Sequence, residues 1–197
     1  CHDIQARVVT HHLTSPEPDT TVTALADLAQ RCDVIVCHCI DHPQVHAAVQ
    51  KLHRQGIPVL PVISGLDCSA TPGLVGSNET DLGRTAAWFM SRFGGPEGSI
   101  GLVNGGTLFR NQWAEEEGFR TFLKEKGSRL SVLPALSSGE CDLGAARAVT
   151  TLLGKAGSRL RGVFVVGGGL EGAVNALRDA RRPDLLVVGN ELTSATR

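Results

Sequence analysis

Short apolar runs alternate along this chain with longer segments in which apolar positions recur every three to four residues. The runs at Gln5–Thr10, Asp33–Cys39, Ile57–Ile63, Ser99–Asn104, Leu130–Ala135, Gly162–Gly167 and Leu185–Gly189 predict strands. Between them, Thr21–Gln30, His42–Gln55, Glu79–Phe93, Gln112–Lys126, Cys141–Gly154 and Leu170–Ala180 carry helical periodicity. Short strands alternating with helices of ten or more residues build parallel βαβ units, so the fold class is α/β. The runs "VIVCHC" (34–39) and "VFVVGG" (163–168) are apolar on both faces, as strands sandwiched between helices are. Asp41 stands as a helix cap ahead of Pro43, and Gly56 with Pro58 closes that helix. The aperiodic stretch Leu66–Gly73, "LDCSATPG", divides a front half of three βα units from a back half of four strands. Residues 1–74 and 75–197 are therefore expected to form two lobes, each with a parallel sheet of the Rossmann type.

Composition narrows the function classes. A chain of 197 residues can bury one substantial core or two modest lobes. Its 19 basic and 20 acidic residues leave a net charge of −1, which gives no electrostatic reason to expect nucleic acid or a membrane surface as a direct partner. No apolar run approaches the ~20 residues of a membrane span. The absence of tyrosine argues against a base-stacking surface. Six cysteines, at positions 1, 32, 37, 39, 68 and 141, are too sparse for a disulfide scaffold. They read as free thiols of a reducing compartment, and hence point to the cytoplasm.

Candidate chemistry starts with "VFVVGGGLEGAVNAL" (163–177), where Gly167, Gly169 and Gly172 have the spacing G-x-G-x-x-G after a strand and before a helix. With Glu191 closing the next apolar run, this matches a dinucleotide fingerprint. Its position argues otherwise. The fingerprint usually opens a nucleotide domain, but here five strands precede it and six residues follow Glu191. Three consecutive glycines, 167 to 169, equally suit a loop that brings another group close to the backbone. Cys32, Cys37, Cys39, His42 and His46 carry metal-ligand chemistry, but C-x-C is not the spacing of the common zinc sites, and strand cysteines commonly pack as small apolar residues. No metal or cofactor is expected. The serines 64, 137 and 138 stand in no G-x-S-x-G elbow, and the acidic trio Glu115–Glu117 reads as a helix face with one member turned inward. Polar residues instead collect just after the strands, at Cys39–Asp41, Asn104–Arg110, Ser137–Ser138, Gly167–Gly169 and Asn190–Glu191. That edge takes ligands in open parallel sheets. Asp41, Arg110 and Glu191 would offer acceptors and a forked donor to a polyhydroxylated molecule, with Phe109 or Trp113 as an apolar face for a sugar ring.

At "LVGSNETDLGRTAAWFM" (74–90) the chain resembles the effector-binding domain of LacI/GalR-type transcription regulators, which shares the type I fold of periplasmic sugar-binding proteins. Val75–Ala87 follow that family's V-G-x-D-N-x-x-A-G-R-x-A-A, with Ser77–Asn78 in place of Asp-Asn. Further likenesses follow in order at "GSIGLVNG" (98–105), "FRNQWAEEEGFRTFL" (109–123), "RLRGVFVVGGGLEGAVNAL" (159–177) and "RPDLLVVGNE" (182–191). Upstream, residues 33–64 resemble the family's strand–helix–strand unit that ends in G-I-P-V-V. The resemblance implies a sugar or polyol effector held between two lobes and a homodimer. It also implies allosteric control of operator DNA through an N-terminal helix-turn-helix that would lie upstream, without catalysis. By the same comparison the chain is a fragment, truncated at both ends. Three site positions depart from the family: Glu115 stands for its arginine, Val166–Gly167 for its Asn-Asp pair and Glu191 for its aspartate. The effector site is expected at Asp41, Phe109, Arg110, Glu115, Gly167, Gly168, Asn190 and Glu191. The alternatives are a periplasmic sugar-binding protein of an ABC uptake system and an NAD- or FAD-binding Rossmann enzyme.

Overall fold

The computed structural model describes residues 6–106 and 109–193. Two compact units divide the chain at Gly76/Ser77. The first contains α1 (Pro18–Ala29), β1 (Ile35–Cys37), α2 (Pro43–Arg54) and β2 (Val59–Pro61), with β1 and β2 parallel. Its core gathers Leu25, Ile35, Val45, Val49, Leu52 and Val59, all at most 5% exposed. Two expectations fail here. Residues 6–10 form no strand, and Val8 is 83% exposed (Gln5 lies outside the described residues), because a strand needs a ladder and the only ladder described in this unit joins β1 to β2. The front half therefore shows two strands among its described residues rather than three βα units.

The second unit runs α3 (Glu79–Phe93), β3 (Glu97–Asn104), α4 (Arg110–Glu125), β4 (Arg129–Val132), β5 (Leu136–Ser137), α5 (Asp142–Ala156), β6 (Leu160–Val165), α6 (Leu170–Asp179) and β7 (Leu186–Gly189). Its sheet is parallel throughout, in the order β4-β3-β6-β7, with the short β5 pairing β3 beyond β4. Side chains of β6 alternate between two cores. Val163 and Val165 join Ala145, Val149 and Leu152 of α5, and Leu170 and Ala173 of α6. Phe164 and Val166 join Ala87 and Met90 of α3, and Phe119 of α4. Phe119 and Phe164 stack with centroids 4.9 Å apart.

Glycines let the helices of each layer touch backbone to backbone. A Cβ at Gly83 of α3 would collide with the Glu115 carbonyl, and one at Gly118 of α4 with that of Thr80. On the other face, Gly172 of α6 sits against the Asp142 carbonyl in the same way. The last glycine of the fingerprint thus serves helix–helix packing.

Candidate functional site

All strands of the second unit end at one edge. Continuing the ladders by one residue places Asn104, Val166 and Asn190 side by side there, with Ser137 next to Asn104. Ligands of open parallel sheets bind at this edge because the following loops and helix N-termini converge on it. Two hydrogen-bonded clusters occupy it.

The first is built around Glu140. The Gly105 amide donates to Gln112 Oε1 at 2.6 Å, and Gln112 Nε2 donates to Glu140 Oε1 at 2.6 Å. The Gly168 amide donates to Glu140 Oε2 at 2.9 Å. Ser138 Oγ donates to the Gly168 carbonyl at 2.8 Å and accepts from the Glu140 amide at 3.2 Å. Gln112 is 4% exposed in the first turn of α4, whereas Glu140 is exposed at the rim. A Cβ at Gly167 or Gly168 would come within 2.8 Å of the Glu140 carboxylate. The group that approaches the triple-glycine loop is therefore the chain's own carboxylate.

Two of the fingerprint's amides bond within the chain. In a nucleotide fold the amides at the start of the helix hold pyrophosphate. Here the Gly168 amide is given to Glu140 and the Gly172 amide to Asp142 Oδ1 at 2.9 Å. Gly169 holds the N-cap of α6 at φ 100°, a left-handed conformation that L residues rarely adopt.

The second cluster centres on Glu115, which is 1% exposed although it was expected to line a ligand surface. Asn190 Nδ2 donates to Glu115 Oε2 at 2.5 Å. Burial pushes the Glu115 carboxyl up to about 8; the hydrogen bond from Asn190 opposes this, and the neighbouring Glu79 carboxylate adds to it. Of the acidic trio only Glu115 is fully inward. Glu116 accepts from Asn104 Nδ2 at 3.2 Å and from Arg120 Nε at 2.9 Å, while Glu117 is exposed.

The other expected residues are more dispersed. Arg110 opens α4 and is exposed; Phe109, half-buried, precedes it at the N-cap position. Trp113 is 69% exposed, and Glu191 is exposed beyond β7. Thr107 and Leu108 of the Asn104–Arg110 loop lie outside the described residues. In the first unit Asp41 follows β1, and its Oδ1 accepts from His46 Nε2 at 2.5 Å and from the Asp67 amide at 3.0 Å. It does not cap α2. With Pro43 at the first helical position, the cap falls to His42, whose Nδ1 accepts from the Gln44 amide at 3.3 Å. The cysteines and histidines of residues 32–46 do not converge. Cys39 and Cys37 lie with Sγ atoms 3.9 Å apart, and His46 turns to Asp41. Among the described residues no group of three or more His, Cys, Asp or Glu is arranged to hold a metal ion, and no helix is long and apolar enough to cross a membrane.

Gln112 and Glu140 were missed by sequence reasoning. The signals available were the turn "SSGE" just after a strand and a glutamine in a first helical turn, both common in solvated loops.

The edge thus pairs side-chain amides with carboxylates, Gln112 with Glu140, Asn190 with Glu115 and Asn104 with Glu116, chemistry that matches hydroxyl groups that both donate and accept. The family model of the periplasmic binding protein domain matches residues 8–197. The chain belongs to this family. Its α/β architecture with parallel sheets is the type I periplasmic-binding-protein fold. A search of curated proteins finds no match. Among solved structures, the domain is similar to the glucose-galactose binding protein GanP from Geobacillus stearothermophilus, with TM-score 0.82 and 15% identity over 91% of this chain and 65% of that one. An ABC transporter solute binding protein from Burkholderia graminis C4D1M, in complex with D-arabinose, gives TM-score 0.83 and 22% identity over 91% and 64%. Another from Agrobacterium vitis, with bound D-fucose, gives 0.78 and 22% over 87% and 60%. The chain therefore spans somewhat less than two thirds of the length of these structures.

Proposed function

We propose that this chain is the sugar- or polyol-binding part of a solute receptor of the kind that feeds ABC uptake systems, without catalysis of its own. The observation that carries the reading is the composition of the strand-end edge. Asn104, Gln112, Glu140 and Asn190 place neutral amides and a carboxylate among backbone amides. Such heads hydrogen-bond to hydroxyls from either direction. The family and the sugars bound by similar structures, among them D-arabinose and D-fucose, point the same way.

Calorimetric titration of the chain with D-arabinose, D-fucose, D-glucose, D-galactose and L-rhamnose tests this, with NAD and FAD alongside. At least one sugar is expected to bind, and Asn190→Ala, Arg110→Ala and Glu191→Ala each to weaken it about tenfold. Stabilisation by NAD or FAD with no response to any sugar overturns the reading.

A second reading is favoured by the cysteines and by Val75–Ala87. All five described cysteines are free thiols, as suits a reducing compartment. In that case the same site belongs to a cytoplasmic, homodimeric transcription regulator whose DNA affinity the sugar shifts by linkage. The gene segment upstream separates the two: a helix-turn-helix pattern supports the regulator, a signal peptide the receptor.

A further inference from the structure

We infer that Glu140 sets the charge selectivity of this site, restricting it to uncharged sugars and turning away uronates and sugar phosphates. The inference rests on the sugar-binding reading above and adds to it the class of ligand.

The loop after β6 has the features by which backbone takes an anion. Gly167, Gly168 and Gly169 bring bare backbone to the edge, and the ten-residue α6 begins there, with its N-terminal amides and partial positive charge facing the loop. An anionic sugar would be drawn to that place, but Glu140 already holds it. One carboxylate oxygen takes the Gly168 amide and the other takes the Gln112 amide nitrogen. Gln112 is in turn held by the Gly105 amide. The fit is close, since an added Cβ at Gly105, Gly167 or Gly168 meets the Glu140 side chain in every case.

The backbone is bent to deliver this side chain. Glu140 has φ 59°, which costs a non-glycine residue free energy, and it follows Gly139, also at 59°. Asp142, two residues on, takes the Gly172 amide from the first turn of α6, so a second carboxylate reinforces the first. Arg120, further along α4, is committed to Glu116 and to the carbonyls of Val132 and Leu133. A ligand carboxylate or phosphate arriving here meets like charge where a neutral hydroxyl meets an acceptor.

Matched pairs test this: D-galactose with D-galacturonate, D-glucose with D-glucose 6-phosphate, and D-arabinose with D-arabinose 5-phosphate. Each pair is titrated by calorimetry into the wild-type chain, Glu140→Gln and Glu140→Ala. The wild type is expected to prefer the neutral member of the bound pair by at least about tenfold. Glu140→Gln keeps the shape and removes the charge, so it should cut that preference at least about fivefold by strengthening the anion, with Glu140→Ala acting in the same direction. Loss of a merely structural contact would weaken both members alike and leave the ratio unmoved. A wild type that takes the anionic member equally well overturns the inference, and so does an unchanged ratio in both variants; the sugar-binding reading survives either result. Failure of all six compounds in all three proteins removes the sugar-binding reading and the inference with it.

Discussion

Strands β1 and β6 carry similar apolar runs but live in different surroundings. In β6 and its extension, Val163, Phe164, Val165 and Val166 are each at most 5% exposed, with β3 and β7 on either side and helices on both faces. In the first unit Ile35 is 3% exposed, but its neighbours Val34 and Val36 are 52% and 58% exposed, and among the described residues β1 pairs with β2 alone. A continuous apolar run therefore marks a strand, while the number of neighbours that reach it decides how much of that run does hydrophobic work. Substitutions at equivalent places should separate the two widely.

The largest effect is expected at Phe164, which is fully buried and stacked on Phe119. Phe164→Ala should cost about 3–5 kcal/mol, from lost transfer free energy and the cavity left between α3, α4 and the sheet. Urea unfolding reads this as a lower midpoint at unchanged slope. A cost near that of an exposed position would mean that β6 is not enclosed on its aromatic face.

The same face holds a deeply buried carboxyl, and pH probes it. Glu115 has a folded-state pKa of about 8, above its usual value, chiefly because burial disfavours the charged form. The folded chain thus binds this proton more tightly than the unfolded chain. The protonated carboxyl supports folding fully below about pH 4.5, and that support falls away as pH rises towards about 8. Glu115→Gln has nothing to titrate and should lack this component of the stability profile. Between pH 5 and 8.5 the wild type should lose on the order of 2–4 kcal/mol more than the variant. Parallel profiles would show that Glu115 is already ionised at neutral pH.

A smaller loss tests how the helices on that face are held. Gly118→Ala forces a methyl group into the Thr80 carbonyl and should cost about 1–3 kcal/mol. Gly154, inside α5, has nothing within 4 Å of an added Cβ. Gly154→Ala should therefore be neutral or stabilising by up to about 1 kcal/mol through helix propensity alone. Thermal unfolding of the two variants in parallel tells close packing from propensity. Equal shifts would remove the argument that α3 and α4 touch through glycine.

These contrasts mark how far the sequence could be read. Helix α3 is expected at Glu79–Phe93 and lies there, because apolar spacing is a local signal; the structure adds the Asn78 cap, whose Oδ1 accepts from the Asp81 amide. Local signals also fixed the alternation of strands and helices, and with it the fold class. The two-residue β5 carried no readable pattern, and residues 6–10 carried a strand pattern with no partner among the described residues. The site was less legible. Glu115 and Asn190 drew attention separately, but their hydrogen bond joins residues 75 apart and depends on the sheet register. The bonds from Gln112 and Gly168 to Glu140 each cross 28 residues, and nothing near Glu140 marks it as a partner for glycines. The glycine spacing suggested an anion at the start of α6, and an anion is there; that it belongs to the chain became visible only when the loops met.

The smallest effect belongs to the other strand. Val36→Thr replaces a 58% exposed methyl with a hydroxyl of nearly the same shape and retains the β-branching that suits a strand. Little apolar area is lost, the hydroxyl stays hydrated, and the β1–β2 ladder is unaffected because its bonds are made by backbone. The change should fall within about 0.5 kcal/mol of zero. The same substitution at Val163, fully buried between β6 and α5, places a hydroxyl in an apolar core and should cost roughly 1–3 kcal/mol. If Val36→Thr instead destabilises as much as Val163→Thr, the outer face of β1 is covered in solution, and the difference between the two strands lies in what docks on the first unit and not in how that unit folds.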